Sequence, residues 1–143
     1  MPWAGGRARA IGVSGLAYGL AADVRAAWVL SGTSDPGIEP DRTGRLRRLD
    51  PRTGEITVTT PLPDLAANLA VGPVLGDGAV WLVGPSTRLQ RGGGILLRVD
   101  PTSGRVAGWF WSLLGFRQDV LAAGPRGAWV ATAVPELLHV VPS

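Results

Sequence analysis

Hydrophobic positions along this chain fall in short runs bounded by Gly, Pro or Asp, the pattern of a strand-rich protein. Ala79-Val80-Trp81-Leu82-Val83 is an uninterrupted apolar run of buried-strand length. Gly94–Val99 predicts another strand, with Arg98 on the face opposite Leu97 and Val99. Residues 55–60 alternate, which places Ile56 and Val58 on one face. Arg105–Trp111 is the equivalent strand and carries Val106, Trp109 and Trp111. Before each of these alternating strands stands Asp-Pro-x-Thr/Ser-Gly, at 50–54 and 100–104. Pro pre-sets φ for the second turn position, the Asp carboxylate accepts from the backbone N–H two residues on, and Gly54 and Gly104 supply a positive φ. No segment shows a sustained 3.6-residue period with caps. Residues 65–75 are rich in Ala and Leu, but Gly72 and Pro73 interrupt any helix there.

These elements recur in order. Leu16-Ala17-Tyr18-Gly19 stands twelve residues before Trp28, and Leu69-Ala70-Val71-Gly72 twelve before Trp81, an offset of 53 throughout. A further Leu121-Ala122-Ala123-Gly124 precedes Trp129 and reads as a third copy. After each of the first two Trp comes a second motif: Leu46-Arg47-Arg48-Leu49-Asp50-Pro51-Arg52-Thr53-Gly54 matches Leu96-Leu97-Arg98-Val99-Asp100-Pro101-Thr102-Ser103-Gly104 at an offset of 50. The last version, Leu138-His139-Val140-Val141-Pro142, has Val141 where Asp is expected. The chain therefore reads as an N-terminal tail, 1–10, followed by repeats at about 11–62, 63–115 and 116–143.

Each unit reads as four strands: Leu-Ala-x-Gly, the Trp strand, the strand before the Asp-Pro turn and the strand after it. Four strands per roughly 50 residues in tandem is the signature of β-propeller blades. The predicted class is all-β, with about two and a half blades of four antiparallel strands in an incomplete or open propeller. On these motifs the chain resembles bacterial propellers with a Leu-x-Arg-Val/Ile-Asp-Pro-x-Thr-Gly repeat. These are the YVTN-type and virginiamycin-B-lyase-like repeats and, more distantly, quinoprotein-type repeats. The resemblance spans residues of about 11 to 143 and speaks for architecture rather than activity. Propellers have four to eight blades, so three expectations follow: a segment of a longer protein, self-association to complete a ring, or an open array that protects its own edges.

Composition narrows the chemistry. Zero Cys excludes a disulfide framework, a thiol nucleophile and thiolate metal sites, and a single His excludes a multi-histidine metal site within one chain. A net charge of +3 is too small for a nucleic-acid footprint, so no nucleic-acid partner is expected. All 14 basic residues are Arg, and with abundant Ala, Gly, Pro and Val this fits a GC-rich bacterial genome. No uncharged apolar run reaches the roughly 18 residues of a membrane helix. Ala10–Ala22 follows Arg7 and Arg9 in the manner of a signal peptide, but it fits the repeat, and no compartment is assigned.

The recurrent residues read as framework. Trp28, Trp81 and Trp129 are expected to fill the space between blades. Asp50 and Asp100 are expected to cap turns, with no metal. His139 occupies the position of Arg48 and Arg98 and reads as an ordinary strand residue. The virginiamycin-type resemblance would imply a His base, a Glu and a Mg²⁺ site, and no position matches that set. The quinoprotein pattern Asp-x-x-Thr-Gly-x-x-x-Trp is altered at Ser103, its Trp comes one residue late at Trp109, and the first unit has Thr59 there, so no quinone or other cofactor is expected. Gln90–Gly94 lacks the Lys-Ser/Thr ending of a phosphate loop. The expected binding surface is the pair of loops joining second and third strands, with Asp35, Glu39, Asp41 and Arg42 in one and Arg88 and Arg91 in the other. With no catalytic set, the expected role is a binding or scaffolding module within a larger bacterial protein, with a protein or small-molecule partner. The alternative is part of a propeller enzyme whose catalytic residues lie in other blades.

Overall fold

A computed structural model describes residues 5–6, 8–13, 15–32, 44–87, 93–112, 116–132 and 136–142. It is all-β, with no α-helix among the described residues. The first sheet holds β1 (Ala17–Ala22), β2 (Ala27–Ser31), β3 (Gly44–Leu49) and β4 (Ile56–Leu62) in sequential antiparallel order. The second repeats it with β5 (Val71–Gly76), β6 (Ala79–Pro85), β7 (Gly94–Val99) and β8 (Val106–Ser112). The third contains β9 (Phe116–Gly124), β10 (Gly127–Thr132) and β11 (Leu137–Val140), three strands rather than four among the described residues. The sheets follow one another through neighbouring first strands, β1 beside β5 and β5 beside β9, in an open array. The Ala- and Leu-rich stretch after β4 forms only a 3₁₀ turn at Ala67–Leu69 before β5 begins.

The core lies between the sheets. Trp28, Leu30 and Leu46 of the first sheet meet Val80, Leu82 and Ile95 of the second. Trp81, Val83 and Leu96 on the opposite face of the second sheet meet Ala128 and Val130 of the third. Strand β6 thus faces a core on both sides, which is why its sequence is an unbroken apolar run rather than an alternation.

Two expectations are corrected. Trp28 and Trp81 are almost completely buried, but Trp129 is 46% exposed. The reason is positional: each buried Trp is covered by the sheet that follows it, and the described residues place no sheet beyond the third. Its indole instead stacks face to face on the His139 imidazole, with ring centroids 4.0 Å apart. The third Leu-Ala-x-Gly is also not the structural counterpart of the first two. Ala21 pairs with Trp28 and Val74 with Trp81, each at the fifth residue after the motif Leu. In the third sheet Ala122 pairs with Trp129, and the motif runs into the hairpin, where Gly124 pairs with Gly127. Only eight residues separate Leu121 from Trp129, against twelve in the other units.

Candidate binding surface

Asp35, Glu39, Asp41, Arg42, Arg88 and Arg91, the loop residues expected from sequence to bind a partner, lie outside the described residues. The repeated turns are described in full. Asp50 Oδ1 accepts from the N–H groups of Arg52 at 2.7 Å and Thr53 at 3.3 Å. Asp100 Oδ1 accepts from Thr102 at 2.9 Å and Ser103 at 2.7 Å, and from the Ser103 hydroxyl at 3.1 Å. Gly54 and Gly104 take φ of 77° and 73°. These are capping arrangements, as the turn chemistry requires. A third, unforeseen one closes the β1–β2 hairpin, where Asp23 Oδ1 accepts from Arg25 at 2.8 Å and Ala26 at 3.0 Å.

In all three turns the backbone N–H groups bond the charged carboxylate and hold its pKa below the ordinary 3.8. A carboxyl whose folded pKa is depressed adds stability above its unfolded pKa, and that stability disappears as pH falls through the folded value. The urea midpoint is therefore expected to stay level from about pH 7 to about pH 5 and to fall below about pH 4. Asp→Asn at positions 23, 50 and 100 together keeps an acceptor oxygen and should flatten that acid limb. An unchanged limb in the triple variant would assign acid sensitivity to other carboxylates.

The repeat also shows how a junction between sheets is closed, and where one is not. Arg48 is the cross-strand partner of Trp28. Its Nε donates to the Pro101 carbonyl in the next sheet's turn at 3.2 Å, and its Nη1 donates to Thr57 Oγ1 at 3.1 Å. Thr60 Oγ1 of β4 donates to the Gly104 carbonyl of the same turn. A third and a fourth strand of one sheet thus grip the Asp-Pro turn of the next.

Arg98 is the cross-strand partner of Trp81 and occupies the place of Arg48. Its guanidinium carbon lies 6.0 Å from the centre of the Trp81 ring. Its Nε is buried and finds no hydrogen-bond partner among the described residues. The guanidinium instead borders a cleft of about 260 Å³, lined also by Trp81, Trp109, Phe110, Val140 and Pro142. Leaving a charge-bearing donor buried and unmade costs more than about 1 kcal/mol. The cleft thus sets a guanidinium, a group that pairs with carbonyl and carboxylate oxygens, beside aromatic walls.

The same end of the molecule carries an open strand edge. Strands β3 and β7 are each paired on both sides, whereas β11 pairs only with β10 among the described residues. Exposed large apolar side chains collect around it: Leu137 at 67%, Trp129, Val141 and, across the cleft, Trp109 at 64%. A grouped apolar patch beside an unpaired edge marks an interaction surface.

No family model matches the chain, and no curated protein matches it. The described residues hold no group of three or more His, Cys, Asp or Glu placed to bind a metal ion. They also contain no helix long and apolar enough to cross a membrane.

Proposed function

We propose that this chain is a non-catalytic segment of the β-propeller type, with YVTN-like or virginiamycin-B-lyase-like blades, acting as a binding or scaffolding module. Its binding surface is the open end of the third sheet, where β11 takes up an extended polypeptide strand. The observation that carries this reading is the contrast between two equivalent arginines. Arg48 is satisfied by a backbone carbonyl of the adjoining turn, whereas Arg98 borders an open cleft and its buried Nε has no partner among the described residues. An added strand supplies main-chain hydrogen bonds to the β11 edge, the mode of β-strand addition, and fixes the neighbouring Val140 and Pro142 that line the Arg98 cleft.

A peptide carrying residues 54–64, which include β4, is a suitable probe because β4 already serves as a fourth strand. Added to dilute full-length chain, it should slow hydrogen exchange of the β11 amides saturably, and Arg98→Leu should weaken that protection. Identical exchange with and without peptide would rule out a receptive edge.

A further inference from the structure

We infer that the strand completing the third sheet is residues 8–13 of a second copy of this chain, so that two copies join head to tail. The inference rests on the proposed receptive edge and names what occupies it. It comes from a second equivalence between turns. The Gly104 turn is packed by Val58 and Thr60 of β4: a Cβ placed on Gly104 would meet Val58 Cγ1 and lie 3.1 Å from Thr60 Oγ1. The Gly54 turn is packed in the same way by Arg9 and Ile11: a Cβ on Gly54 would lie 2.7 Å from Ile11 Cδ1 and 2.9 Å from Arg9 Nη2. In each case two residues spaced i, i+2 present one face of an extended segment to the turn glycine. In each case one of them also bonds a turn carbonyl, Thr60 Oγ1 to Gly104 and Arg9 Nη2 to Arg52 at 3.5 Å.

Residues 8–13 therefore hold, against the first sheet, the place that a preceding sheet's fourth strand would hold. Yet they join no strand pairing among the described residues, and 8–12 are exposed. Among the described residues, the first sheet carries a fourth strand's counterpart without the sheet it belongs to, and the third sheet lacks a fourth strand. One copy offers what the other end of a second copy accepts.

The repeat fixes the register. Leu46 pairs with Thr60 and Arg48 with Val58 in the first sheet. Leu137 and His139 stand where Leu46 and Arg48 stand, opposite Ala131 and Trp129 as those two are opposite Leu30 and Trp28. Leu137 should then face Ile11 of the second copy, and His139 should face Arg9. Both Leu137 and Ile11 are exposed apolar side chains, at 67% and 44%, and their pairing removes both from water. Trp129 and His139 would meet the second copy's Asp50–Gly54 turn, as Trp28 and Arg48 meet the Asp100–Gly104 turn. The three described sheets of two copies together number six, within the range of about four to eight that propellers close.

The chain has no Cys, so introduced thiols report contacts without background. Ile11→Cys and Leu137→Cys change exposed positions and should leave the fold intact. An equal mixture of the two single variants, mildly oxidised, should form the mixed disulfide on the order of a hundredfold faster than either variant links to itself, because pairing raises the local thiol concentration into the millimolar range. The unmodified chain should run at twice its 14.9 kDa mass, with β11 amide protection rising with concentration. A single-chain mass at every concentration, or self-linked Ile11→Cys dominating the products, would overturn the inference. In that event, protection of β11 by the 54–64 peptide would show that the edge still receives strands and that its occupant is another chain. Failure of the peptide as well would remove both readings.

Discussion

Trp81→Ala is expected to lower stability by about 3–5 kcal/mol, and Trp129→Ala by less than about 1 kcal/mol in dilute solution. The two residues occupy the same strand position, and their difference lies in what covers them. Trp81 is 2% exposed between the second and third sheets, packed near Val83, Leu96 and Val130. Its Nε1 donates to the Gly76 carbonyl at 2.9 Å, and its ring faces the Arg98 guanidinium. Truncation removes the packing, leaves the Gly76 carbonyl without that donor and opens a cavity that a β-sheet junction cannot collapse. Trp129 has the His139 ring on one face and is 46% exposed, so its loss takes little surface out of a packed environment. Urea denaturation followed by far-UV dichroism compares the midpoints without relying on Trp signals. Equal losses in dilute solution would mean that something covers Trp129 there. A Trp129→Ala loss that grows with chain concentration is the expected signature of head-to-tail pairing.

Local chemistry made most of the framework legible in the sequence. The β6 and β7 runs and the two Asp-Pro turns are written in residues that touch one another, so pattern and turn chemistry suffice to place them. What pattern does not encode is the far side of a junction. Trp129 carries the same local motif as Trp81, and its exposure depends on a sheet that would have to follow it. Arg98 reads like Arg48, but the turn facing each differs, and Ala107 stands where Thr57 gives Arg48 a second acceptor. The Asp100 turn reaches Arg48, while Val140 and Pro142 leave a cleft beside Arg98. Val141 in place of Asp was the available signal, because a turn lacking its capping carboxylate need not fold like the other two. The displaced third Leu-Ala-x-Gly shows the limit of motif identity: the distance to the Trp, not the letters, carries the structural register.

The first two Leu-Ala-x-Gly motifs have a physical reason that supports a second prediction. Gly19 is the motif glycine of β1, and a Cβ there would fall on the carbonyl oxygen of Gly72, the motif glycine of β5, and 2.8 Å from its carbonyl carbon. The obstacle is backbone, not a side chain that can swing away. No positive φ is involved at Gly19, so the requirement is closeness of approach rather than conformation. Gly19→Ala must push β1 away from β5 and loosen the core containing Trp28, Leu30 and Val80. A cost of about 3 kcal/mol is expected, the upper part of the usual range for overpacking. Gly108→Ala in β8 is the control, since a Cβ there meets nothing within 4 Å. It should be neutral or stabilising by up to roughly 1 kcal/mol, through the less flexible unfolded chain. If Gly19→Ala proved as harmless as Gly108→Ala, the first two sheets would have to sit farther apart than β1 and β5 do here. The Arg48–Pro101 bond, which closes the first junction where Arg98 leaves a cleft in the second, would then lose its geometric basis.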